Sequence, residues 1–137
     1  TPYMMPHTSL MRYEMTKKTP ISDESSSAQR EETIQLTKEE AEAILLAPGK
    51  VSDKVRYYFP MGKDTAEITV FRENLKGLVL VDFEFETKEA MEAFKMPEFC
   101  LADVTEEEWC AGGMLCGKKY SDIEKFLERY AYKKIIA

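Results

Sequence analysis

Apolar and polar residues alternate through much of the chain, and each period-two row predicts a strand with two unlike faces. In residues 10–18, Leu10, Arg12, Glu14, Thr16 and Lys18 share one face, and Met11, Tyr13, Met15 and Lys17 share the other. The stretch "TPISDESSSAQ" that follows is polar and rich in Ser, and reads as a loop inside the domain. Residues 29–36 form the second predicted strand, with Gln29, Glu31 and Thr33 turned away from Ile34 and Leu36. The third, residues 51–59, sets Lys54, Arg56 and Tyr58 against Val51, Val55 and Tyr57. The fourth and fifth lie within residues 65–87. There Glu67 and Thr69 oppose Ala66, Ile68 and Val70, and Asp82, Glu84 and Glu86 oppose Val79, Val81, Phe83 and Phe85.

Between the strands the spacing changes to that of helices. Thr37 and Glu40 form a capping box, which predicts a helix ending near residues 47–50. Residues 87–94 give a short helix with Met91 and Phe94 three apart, and Thr105 with Glu108 repeats the box. Ser121 with Glu124 repeats it again, before an apolar stripe of Ile123, Phe126, Leu127 and Tyr130.

A chain of 137 residues, 44% hydrophobic and 32% charged, is expected to fold as one domain spanning residues 1–137. No apolar run approaches the ~18 residues of a membrane span. A net charge of −6 argues against a broad nucleic-acid surface, although basic rows can still hold phosphate locally. The three cysteines, Cys100, Cys110 and Cys116, are an odd number without metal-site spacing, and predict reduced thiols in a cytoplasmic protein. His7 is the single histidine and gives no support for histidine-dependent chemistry. "CAGGMLCG" lacks the Lys and Ser/Thr of a phosphate loop, and reads as a turn.

The polar rows carry the candidate chemistry. They segregate into basic members, Arg12, Lys18, Lys54 and Arg56, and acidic members, Glu31, Glu67, Asp82 and Glu84. Carboxylates two apart on a strand repel one another unless a cation lies between them, and hard oxygen ligands suit Mg²⁺ or Mn²⁺. Lys and Arg suit phosphate oxygens. In an α+β fold with the amphipathic helices packed on the outside, a closed antiparallel β-barrel would put both rows in one lumen. The expected ligand is a metal-bound phosphate.

The motifs "RYEMTKK", "REETIQLTKEEAEAIL", "KVRYYF", "TAEITVF", "LKGLVLVDFEFET" and "PEFCLADVTEEEWCAGGMLCGKKY" occur in this order over residues 10–134. In order and spacing the chain resembles CYTH-like domains of the triphosphate tunnel metalloenzyme superfamily. The resemblance implies a barrel of about eight strands enclosing a tunnel. It also implies divalent-metal-dependent hydrolysis of tripolyphosphate, a nucleoside triphosphate or thiamine triphosphate. Carried over by motif, Lys18, Lys54 and Arg56 would hold phosphate, with Arg12 as a further basic contact. Glu31, Glu67, Asp82 and Glu84 would hold Mg²⁺ or Mn²⁺; "REET" also permits Glu32, and the packing expected of Ile34 favours Glu31. Two departures stand out. The family's opening E-x-E-x-K strand and its R-x-R strand have no counterpart here, which predicts an acidic strand before Thr1 and a basic strand near Leu10. Thr69 stands where the family usually has an aspartate. These departures support the alternative of a non-catalytic triphosphate-binding module.

Overall fold

The computed structural model describes residues 11–21, 29–111 and 113–136. His7, Leu10 and the Ser-rich stretch, with the expectations attached to them, lie outside those residues. The chain divides into two compact units, Thr1–Gly49 and Lys50–Ala137.

In the first unit β1 (Tyr13–Pro20) and β2 (Gln29–Leu36) form an antiparallel hairpin, followed by α1 (Lys38–Leu45). Its register places Glu14 opposite Gln35, Thr16 opposite Thr33 and Lys18 opposite Glu31. These pairs lie on one face. The other carries Tyr13 with Leu36 and Met15 with Ile34. The polar face forms a ladder of contacts. Gln35 donates to Glu14 at 3.0 Å, the hydroxyls of Thr16 and Thr33 are 2.8 Å apart, and Lys18 reaches Glu31 at 3.7 Å. Helix α1 starts where the capping box places it: Glu40 N–H donates to Thr37 Oγ1 at 3.1 Å, and Thr37 N–H donates to the Glu40 carboxylate at 2.9 Å.

In the second unit β3 (Lys54–Met61), β4 (Asp64–Phe71) and β5 (Val79–Asp82) make one antiparallel sheet in that order. Gly62 turns β3 into β4 with φ of 65°, a left-handed conformation that glycine adopts without steric cost. Helix α2 (Lys88–Ala93) is capped by Thr87, whose hydroxyl accepts from Ala90 N–H at 3.1 Å. Helix α3 (Tyr120–Glu128) closes the unit.

The core is built from Phe71, Leu75, Leu78, Trp109, Leu115, Ile123 and Leu127, with Leu80, Cys110 and Phe126 packed against it. Ile123 and Leu127 are two of the stripe residues on α3, and Phe126 stacks on Trp109 with ring centroids 6.1 Å apart. The C-terminal segment fastens the turn between β4 and β5. Tyr132 Oη donates to the Gly77 carbonyl at 2.6 Å and accepts from Val79 N–H at 3.0 Å, and Ile135 N–H donates to that same carbonyl at 2.9 Å.

The expected β-barrel is not formed. Among the described residues the strands make one two-stranded and one three-stranded sheet, and no closed barrel. Closure needs every strand edge paired, whereas β1 and β2 pair only with each other, and β3 and β5 each pair only with β4. β5 also ends at Asp82 after four residues, which leaves Glu84 and Glu86 beyond the ladder rather than along it.

The core also lies on the side of the sheet assigned to the polar row. Leu80 is the β5 partner of Thr69, and Phe71 is the β4 partner of Lys54, so both share the face of Arg56 and Glu67. Both contribute to the α3 core. The opposite face leaves Tyr57 and Phe59 more than half exposed, at 57% and 54%. The core packed on α3 and the charged row therefore share one face, apolar at one end and charged at the other.

Two of the expected caps form differently. Thr105 donates its hydroxyl to Asp103 instead of capping a helix, and a single 3-10 turn, Glu108–Cys110, follows. α3 begins one residue before Ser121, and Asp122 accepts from Lys119 N–H at 2.8 Å in place of the Ser121 box. Among the described residues no helix is long and apolar enough to cross a membrane.

Candidate functional site

The charged end of the β3–β4–β5 face is the candidate site. Glu67 on β4 lies directly between Tyr58 on β3 and Asp82 on β5. One step along the strands, Thr69 lies between Arg56 and Leu80. Strand alternation turns Arg56, Glu67, Thr69 and Asp82 to the same side. Lys54 is on this face too, 5.9 Å above the Phe71 ring, at the border between core and charge.

Glu67 holds its proton more tightly than an ordinary carboxyl. Partial burial is the main cause, the neighbouring charges of Glu84 and Asp82 add to it, and the Arg56 guanidinium opposes it. Glu84 therefore acts on Glu67 through its charge although it lies past the end of β5. Burial and like-charge crowding both disfavour the ionised form.

A carboxyl whose proton affinity is raised by folding contributes most below the ordinary carboxylate range, and that contribution is lost as pH rises through its raised value. Glu67→Gln imitates the protonated group. Urea midpoints should therefore be nearly unchanged at about pH 3 and higher than wild type at about pH 7. An equal shift at both pH values would show that the effect is not ionic.

The strand register gathers Arg56, Glu67 and Asp82, with Lys54 at their border, and Glu84 acts on Glu67 through its charge. Lys18 and Glu31 belong to the first unit, where they pair with each other, and Arg12 is exposed one residue before β1. Ile34 is 53% exposed, so its packing does not favour Glu31 over Glu32.

The donors Glu67, Asp82 and Glu84 are hard oxygen ligands of the chemical type that Mg²⁺ or Mn²⁺ takes. Among the described residues, no group of three or more His, Cys, Asp or Glu side chains is arranged to hold a metal ion. The fit is thus one of donor chemistry and crowded charge, not of a formed cage.

Sequence reasoning missed the hydrogen bond from Arg56 Nε to Thr69 Oγ1, at 3.3 Å. Thr69 is only 3% exposed, the single buried polar side chain among the described residues. Two cavities lie elsewhere, one of about 310 Å³ beside Trp109 and Ile123 and one of about 490 Å³ beside Met91 and Asp103. Neither is lined by a predicted site residue. Cys100, Cys110 and Cys116 are free thiols. Cys110 donates to the Val104 carbonyl at 3.5 Å, and burial pushes its thiol pKa up, away from the reactive thiolate.

No known protein family matches the chain, and no curated protein or solved structure matches it.

Proposed function

We propose that the second unit binds the phosphate chain of a triphosphate and hydrolyses its terminal phosphoanhydride bond with Mg²⁺ or Mn²⁺. The observation that carries this reading is the shared face of β3–β4–β5, where a basic strand bearing Lys54 and Arg56 lies beside acidic strands bearing Glu67 and Asp82. The motif order that resembles CYTH-like domains supports it. Lys54 and Arg56 orient phosphate oxygens, Arg56 through a planar fork that matches two of them at once. Glu67, Asp82 and Glu84 would hold the cation, which supplies charge neutralisation when bound. The charged end of the sheet is a face and not a tunnel, so the substrate lies across the strands. Candidate substrates are tripolyphosphate, nucleoside triphosphates and thiamine triphosphate.

The second reading is a binding module without turnover. Thr69 favours it, since a hydroxyl engaged with Arg56 stands in the acidic row where a further carboxylate would add metal affinity. Phosphate release from tripolyphosphate with Mg²⁺ or Mn²⁺, measured alongside melting temperature, separates the two. Turnover supports the hydrolase, and a raised melting temperature without turnover supports the module. If neither responds, the charged rows are a solvated face and both readings fail.

A further inference from the structure

We infer that Thr69 is a positioning residue that orders Arg56 for bidentate contact with a terminal phosphate; the ligand in this inference rests on the triphosphate reading above. Thr69 and Arg56 are direct partners across β3 and β4, and Arg56 Nε donates to Thr69 Oγ1 at 3.3 Å. The hydroxyl is held in place twice over. Its β-branched side chain has few rotamers, and it is buried between Arg56 and Leu80, a residue packed against the core.

A guanidinium has five N–H donors in a fixed fork. Committing Nε to Thr69 leaves the four N–H bonds on the two terminal nitrogens for a ligand. Among the described residues Arg56 makes no ion pair within 4.0 Å, although its field reaches Glu67. A carboxylate at position 69 would occupy Nε as well, but it would also cancel the charge on Arg56. A hydroxyl orients the fork and leaves the positive charge to attract an anion. Thr69 therefore tunes this face toward phosphate and away from an internal ion pair.

Packing alone could also explain a buried β-branched residue in a strand, so the test keeps packing constant. Thr69→Val has nearly the same shape without the hydroxyl, and Thr69→Ser keeps the hydroxyl with less bulk. Calorimetric titration of the full chain with tripolyphosphate, without metal, should show binding weakened about five- to tenfold in Thr69→Val and restored to within about twofold in Thr69→Ser. Adding Thr69→Val to Arg56→Lys should cause no further loss, because the contact is already gone.

A second measurement needs no ligand. The Arg56 Nε–H resonance should be resolved and slow to exchange in wild type and Thr69→Ser, and should broaden in Thr69→Val. If Thr69→Val binds like wild type while Arg56→Lys binds more weakly, the positioning role is overturned. If wild type binds no tripolyphosphate, the triphosphate reading fails, and the resonance then decides the positioning role alone. A signal unchanged by Thr69→Val overturns it.

Discussion

Replacing Leu78 with alanine should destabilise the second unit by about 3 kcal/mol. Leu78 is 1% exposed and lies in the cluster that joins the β4–β5 turn to α3. Truncation removes apolar surface already withdrawn from water and leaves a space among Phe71, Leu75, Trp109 and Ile123, which a close-packed core closes only in part. The Tyr132 and Ile135 bonds to Gly77 hold the adjoining backbone, which limits collapse into the space. The urea midpoint should therefore fall substantially with little change in slope. Ile34→Ala in β2 serves as the comparison. Ile34 is 53% exposed, so its loss should shift stability by no more than about 0.5 kcal/mol. Equal effects at the two positions would show that the β4–β5–α3 cluster is not the core.

What could be read from the sequence was local. The Thr37–Glu40 box started α1 because both partners lie within one turn of each other, and the strand rows in β1 to β4 follow from a period fixed by backbone geometry. The stripe on α3 placed Ile123 and Leu127 in the core for the same reason. Two caps failed by competition at equally short range, since Asp103 offered Thr105 an acceptor two residues away and Asp122 reached Lys119 N–H ahead of Ser121.

Closure was not legible, because whether β3 or β5 finds a further partner depends on chain far from either strand. The side taken by the core was legible in part. The row of Asp82 and Glu84 also contains Leu78 and Leu80, and the row of Glu67 and Thr69 ends in Phe71. Three large apolar residues in an otherwise polar row mark a face that is half core. The contact between Arg56 and Thr69 had only a weak signal, since register across a turn is needed to bring positions thirteen apart face to face.

Glu84→Gln should lower metal-dependent phosphate release from tripolyphosphate by ~10- to 100-fold. The substitution keeps the shape of the side chain and removes one of the negative charges grouped around Glu67. A divalent cation at this end of the sheet would then lose a formal charge's worth of attraction, and the required metal concentration should rise. Stability should hold or increase, because the charge removed is one that opposes ionisation of Glu67 in the folded chain. Activity that falls while stability does not is the outcome that separates a site residue from a structural one. Lys54→Ala should act differently. Lys54 stands on the basic strand at the core border, so its loss should raise KM for tripolyphosphate and leave the metal requirement unchanged. Glu86→Gln supplies the control, an exposed carboxylate two residues further past the end of β5. If Glu86→Gln lowers turnover as much as Glu84→Gln, the effect is one of net charge rather than position, and the assignment of Glu84 to the cation site fails.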